Sequence, residues 1–118
     1  MNTYQTGMKA QNGAELFLKE KGYCILERNY RIKSGEIDLI AQNKENIVFV
    51  EVKFRKNLNY GYPCESVGNA KQKLIISTAL HYIAVNELNN HNFRFDVVEV
   101  IEQNGRLYAK HIENAFET

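Results

Sequence analysis

Three residues in the centre of the chain could do chemistry together: Asp38, Glu51 and Lys53. They lie in GEIDLIAQNKENIVFVEVKFR, residues 35–55, which reads as two apolar strands around a polar turn. Side chains alternate across a strand. Ile37, Leu39 and Ala41 therefore share one face, and Glu36, Asp38 and Ile40 the other. In the second strand Val48, Val50, Val52 and Phe54 share a face opposite Ile47, Phe49, Glu51 and Lys53. Closing the hairpin about Lys44 and Glu45 sets Ile40 against Phe49, Asp38 against Glu51, and Glu36 against Lys53.

Directly opposed residues have Cβ atoms ~5 Å apart, so paired carboxylates repel. Burial adds lost hydration. A shared proton, a cation such as Lys53, or a divalent metal with oxygen ligands would relieve the conflict. The plain alternative is an ordinary Glu36–Lys53 ion pair, with Asp38 and Glu51 on a solvated face. Ile40, Ile47 and Phe49 share that face, which argues against full solvation. Two acids with a lysine at E-x-K spacing suggest a metal nuclease site.

The elements that must position these residues follow from periodicity. Ala10, Ala14, Phe17 and Leu18 mark an amphipathic helix ending at Gly22. YCILERNYRIK has mixed strand character, with a turn at Ser34-Gly35. The two acid-bearing strands follow, then the irregular stretch RKNLNYGYPCESVGN. AKQKLIISTALHYIAVNELNN reads as the longest helix, with Ile76, Ala79, Leu80 and Ile83 as its apolar stripe. FRFDVVEVIE and LYAKHIE are strands around the turn QNGR. The order α-β-β-β-α-β-β predicts an α/β fold, a mixed sheet with helices packed on it. The second helix permits a parallel crossover between the third and fourth strands.

The 118 residues suit one domain, 1–118, whose core needs no disulfide or structural metal. Net charge is +1, so nucleic-acid binding would need a local basic patch. Cys24 and Cys64 form no ligand motif and read as reduced thiols. The first fifteen residues lack an apolar signal core, and no segment reaches membrane-span length, so the expected location is the cytoplasm.

GEIDLIA followed by VFVEVKFR resembles the YraN-like family, a largely uncharacterised bacterial group. That family is similar to the restriction-endonuclease-like superfamily with its PD-(D/E)-x-K signature, whose members include archaeal Holliday-junction resolvases. Asp38 would be the isolated acid, and Glu51, Val52 and Lys53 the E-x-K; Ile37 replaces the signature's proline. Gly7 to Glu15, clearest at Gly13, Ala14 and Glu15, matches the family's first helix, and GYCILERNYR its first strand. Tyr60-Gly61-Tyr62-Pro63, then Lys71, Gln72 and Leu74, match its loop and second helix. Phe95-Asp96-Val97-Val98 matches its fourth strand.

The resemblance implies a restriction-endonuclease-like αβββαβ core and phosphodiester cleavage dependent on Mg²⁺ or Mn²⁺. Asp38, Glu51 and the Val52 carbonyl would hold the metal, and Lys53 would assist the attack. Glu15 would complete the catalytic set, or else be an exposed helix glutamate. Glu36 would support the site or pair with Lys53. Related resolvases act as dimers, so a homodimer on junction DNA is a further expectation.

Arg55, Lys56, Tyr60, Lys71, Gln72 and Lys73 interleave basic, polar and aromatic groups beyond the third strand and are the expected nucleic-acid contacts. Lys71 and Lys73 fall in the first turns of the second helix. Arg28, Arg31 and Lys33 form a second basic cluster. His81, His91 and His111 show no ligand spacing, and Asp96 reads as a satisfied strand acid. Three functions compete: a DNA endonuclease, a nucleic-acid-binding module of the same fold that cleaves nothing, and a protein-interaction domain.

Overall fold

A computed structural model describes residues 3–56 and 67–117, with side chains from residue 7 onward. The stretch 57–66, with the expected contact Tyr60 and with Tyr62, Pro63 and Cys64, lies outside the described residues. The elements are α1 (Thr3–Glu20), β1 (Cys24–Ile32), β2 (Gly35–Asn43), β3 (Asn46–Arg55), α2 (Asn69–Val85), β4 (Asn92–Gln103) and β5 (Arg106–Phe116). This is the order that the periodicity predicts.

The strands form one mixed sheet in the order β1-β2-β3-β4-β5. β3 and β4 run parallel, joined through α2, and the other neighbours are antiparallel. The β2–β3 hairpin has the expected register: Asn43 opposes Asn46, and Ile40 opposes Phe49. Its two-residue turn places Lys44 at φ 57°, the left-handed conformation such hairpins need.

Alternation divides the core between the two faces. Leu39, Ala41, Val48, Val50, Val98 and Val100 pack against Ala10, Ala14 and Leu18 of α1. Ile40, Ile47, Phe49, Phe95 and Val97 pack with Ile75, Ala79, Tyr82 and Ile83 of α2. Each fully buried aliphatic or aromatic side chain contributes roughly 1.5–3 kcal/mol. The inner strands, covered on both faces, need apolar residues at nearly every position, which explains VFVEV and DVVEV.

Helix α2 differs from its sequence reading in two ways. It ends at Val85, so α1 is the longer helix. Asn86 closes it, and Glu87 adopts φ 54° beyond. Its buried stripe is Ile75, Thr78, Ala79, Tyr82 and Ile83, while the expected core residue Leu80 is 57% exposed. Thr78 hides the stripe from a reading based on apolar residues. Its hydroxyl donates to the Leu74 carbonyl at 2.8 Å, so it is buried without an unmet donor.

Gly35 sets the approach of α2 to β2. A Cβ there would collide with Thr78 Oγ1 and would sit 3.0 Å from the Leu74 carbonyl oxygen. The missing side chain lets α2, at Leu74 and Thr78, lie close over the start of β2. Among the described residues no helix is long and apolar enough to cross a membrane.

Candidate functional site

The β2–β3 ladder ends at the pair Leu39 and Val50, one step short of Asp38 and Glu51. Beyond it the start of β2 leaves the regular alternation. Ile37 joins the α2-side core, although Leu39 and Ala41 belong to the α1 side. Glu36 and Asp38 line a cleft of about 610 Å³ with Val52 and Phe54 of β3 and Gly7, Ala10 and Gln11 of α1. Asp38 is therefore not a simple cross-strand partner of Glu51. Its Oδ2 accepts the Val52 backbone N–H at 2.8 Å, where the ladder has opened.

The acids are nevertheless neighbours, and the conflict expected from sequence is present. Burial, then the adjacent Glu51 carboxyl, pushes Asp38 up to about 8, against the opposing pull of the Val52 N–H and Lys71. The pair thus favours holding a proton near neutral pH. Glu51 itself is 8% exposed.

The cation at this pair is Lys71 of α2, not Lys53. Lys71 Nζ lies 2.5 Å from Glu51 Oε2. No hydrogen bond is aligned on that buried oxygen, so it has a neighbouring charge without a directed donor. Desolvation pulls the Lys71 ammonium down, but Glu51, Asp38 and Glu36 outweigh it and hold Lys71 above its usual range. Lys53 is half-buried on β3 and makes no ion pair within 4 Å among the described residues.

Two other carboxylates go elsewhere. Glu36 pairs with Arg31 of β1 at 3.1 Å rather than with Lys53. β1 and β2 are hydrogen-bonded with Arg31 directly opposite Glu36, which makes that pair the nearer one. Glu15 is held by Arg28 and Lys19 and does not line the cleft. The Arg28 bond, foremost, lowers the Glu15 carboxyl from its usual range.

The polar residue of α1 that lines the cleft is Gln11, one turn before Glu15. It is 9% exposed, and no hydrogen bond holds its amide among the described residues. The sequence carried a signal for it. Ala10 and Ala14 mark the packed face of α1, and Gln11 adjoins Ala10 on that face.

The expected nucleic-acid residues divide similarly. Lys71 and Lys73 do lie in the first turns of α2, and Lys56 is exposed. Gln72 donates to the Val67 carbonyl at 2.7 Å and so fastens the start of the helix. Arg55 reaches toward the buried Glu99 of β4 at 3.9 Å. Of the second cluster, Arg28 and Arg31 are paired with Glu15 and Glu36, and Lys33 is exposed.

Asp96 is the satisfied strand acid that the sequence suggests. It is 0% exposed, on the α1 side of the sheet. Arg94 grips it with two bonds, Nε to Oδ1 at 2.8 Å and Nη2 to Oδ2 at 2.9 Å. His111 Nε2 lies 2.6 Å from Oδ2, and the Asn114 N–H donates to Oδ1 at 3.1 Å. A bulge in β5, with Asn114 at φ 53°, aims that N–H at the carboxylate.

Among the described residues no three His, Cys, Asp or Glu side chains converge as a metal cluster. What does converge is two carboxylates, one with a buried oxygen lacking an aligned donor. Mg²⁺ is commonly held by one or two carboxylates with several waters, so this donor set fits it.

The family model described as uncharacterised protein family UPF0102 matches residues 10–100, a span that contains Gln11, Asp38, Glu51, Lys53 and Lys71. A UPF0102 protein of Clostridium acetobutylicum is 50% identical over 115 residues, covering 96% of this chain and 94% of that one. Another, from Clostridioides difficile, is 50% identical over 116 residues, covering 98% of this chain and all of that one. A third, from Carboxydothermus hydrogenoformans, is 39% identical over 118 residues and covers 99% of each chain. By this match and these identities, the chain belongs to the uncharacterised protein family UPF0102.

Proposed function

We propose that this protein is a Mg²⁺- or Mn²⁺-dependent endonuclease of the PD-(D/E)-x-K kind, acting on DNA phosphodiester bonds, with branched DNA as one substrate. The supporting observation is the neighbouring Asp38 and Glu51 carboxyls, Asp38 lining an open cleft and Glu51 buried, with a neighbouring charge but no donor aligned on Glu51 Oε2. A structural ion pair would be expected to satisfy both acids, as the Asp96 network does.

In this reading Asp38 and Glu51 hold the cation, with the Val52 carbonyl beside them. The bound cation would polarise the phosphate and acidify a water. Asp38 must give up its proton for this, so the site gains affinity as pH rises toward 8. Lys53, fixed on β3 near the acids, would orient the attacking water or stabilise charge developing on the phosphate. Gln11 lines the same cleft and would position a water or a phosphate oxygen. Lys56, Lys73 and Arg55 would face the backbone of the nucleic acid.

The test is cleavage of branched, single-stranded and duplex DNA with Mg²⁺ or Mn²⁺. Activity should appear with the native chain and vanish with Asp38→Ala and Glu51→Ala. Equal traces from native and variant chains on all three substrates would defeat the proposal.

A second reading is a nucleic-acid-binding module that cleaves nothing. It is favoured by Lys71, which already supplies a cation at the acid pair. It predicts salt-sensitive DNA binding that survives loss of both acids. Binding that depends on Mg²⁺ and on Asp38 would reject it.

A further inference from the structure

The buried carboxylates of Asp96 and Glu51 have cations held in very different ways. Arg94 is bidentate on Asp96, with its side chain only 17% exposed. It cannot leave without stranding the buried Asp96 charge. Lys71 touches one oxygen of Glu51, out of line, and its side chain is 60% exposed. A lysine stem is long and flexible, and its head is a compact charge. Rotation about side-chain bonds can carry it into solvent with no change in the backbone.

Its place in the fold gives it somewhere to go. Lys71 is the third residue of α2, where an ammonium opposes the helix dipole and the free backbone N–H groups favour an anion. Lys73 lies two residues on, and the following turns, at Leu74 and Thr78, sit close over Gly35 of β2. A phosphate arriving at the start of α2 would meet a favourable field and offer Lys71 a second partner.

We infer that Lys71 is an exchangeable counterion: its ammonium holds the divalent cation's place beside Glu51 and moves to a phosphate when nucleic acid binds. The inference rests on the nuclease reading and adds its regulation. The acid pair is shielded while the site is idle, and it becomes available to a cation when a substrate phosphate draws Lys71 away. By linkage, nucleic acid then raises cation affinity, and the cation raises nucleic-acid affinity by the same factor.

The test is calorimetric titration of the full chain with Mn²⁺, with and without a short phosphorothioate duplex that resists cleavage. Lys71→Ala, without DNA, should bind Mn²⁺ about tenfold more tightly than the native chain. The duplex should raise Mn²⁺ affinity in the native chain and leave that of Lys71→Ala unchanged within about twofold. Lys71→Arg should restore native behaviour. Lys44→Ala removes the same charge at the distant β2–β3 turn and should shift Mn²⁺ affinity by less than about twofold. Equal or weaker Mn²⁺ binding by Lys71→Ala would overturn the exchange and leave the nuclease reading standing. No Mn²⁺ binding by either chain, with or without DNA, would overturn both.

Discussion

Asp38 and Asp96 are both aspartates inside strands of the same sheet, each flanked by apolar residues in the chain. Burial raises the proton affinity of both. At Asp96 the bonds from His111, Arg94 and the Asn114 N–H outweigh burial and hold the carboxyl below its usual range. At Asp38 burial and Glu51 prevail over one backbone N–H and Lys71, and the carboxyl rises to about 8. Burial is therefore not what separates a structural acid from a chemical one. The difference is whether the fold has supplied enough aligned donors, and β2 and β3 part where those donors would have been.

The contrast breaks most visibly at Asp96. Asp96→Ala leaves Arg94 and His111 without their shared acceptor and should destabilise the chain by about 3–5 kcal/mol in urea unfolding. A loss below about 1 kcal/mol would mean that the network is not the anchor its geometry indicates. Because the folded carboxyl is held low, its contribution is present above the unfolded value near ~3.9 and is lost as pH falls below it.

Asp38 should behave in the opposite sense. Its folded value is raised, so the native state binds the proton better than the unfolded chain does. That contribution is full below ~3.9 and is lost as pH rises through about 8. Asp38→Asn should therefore stabilise the protein by about 1–2 kcal/mol at pH 8, and by less at pH 5, while abolishing Mn²⁺ binding. A variant less stable than the native chain at pH 8 would place Asp38 with Asp96 as a structural acid.

The smallest effect is expected at Glu36, which would sharpen the boundary of the site. Its pair with Arg31 is solvent-exposed. Glu36→Gln should change stability by less than about 1 kcal/mol and Mn²⁺ affinity by less than about threefold. A large drop in Mn²⁺ affinity would bring Glu36 into the cation site.

What the sequence made legible follows from range. The hairpin register was readable because strand alternation and a two-residue turn are local, and the parallel crossover because a helix separates the two strands. Lys71 was not readable as the partner of Glu51. That contact depends on where α2 lands, twenty residues later in the chain. The mis-phased stripe of α2 has a local cause, since a buried Thr78 looks polar in a pattern of apolar residues. Gln11 carries no charge to mark it beside Glu15, whereas the packing of Ala10 and Ala14 decides which part of α1 faces the cleft. The grip on Asp96 was partly visible, since Arg94 and Asp96 are two apart on one strand and share a face. The β5 bulge that adds Asn114 was not.

The parallel pairing of β3 with β4 has a consequence for how the chain becomes a protein. Each residue of β3 meets one 46 positions later, from Asn46 with Asn92 to Arg55 with Ile101. A local hairpin such as β2–β3 closes in ~1–10 μs, whereas pairing over that separation carries a larger loop-closure entropy. During synthesis residues 35–55 emerge well before residues 92–101. Until β4 arrives, β3 presents an unpaired edge bearing Ile47, Val48, Phe49 and Val50, four residues that end fully buried. Such an edge is a template for pairing with another chain. The charges at its far end, Glu51, Lys53 and Arg55, then have a second use: they interrupt that edge while the nascent chain waits for its partner strand.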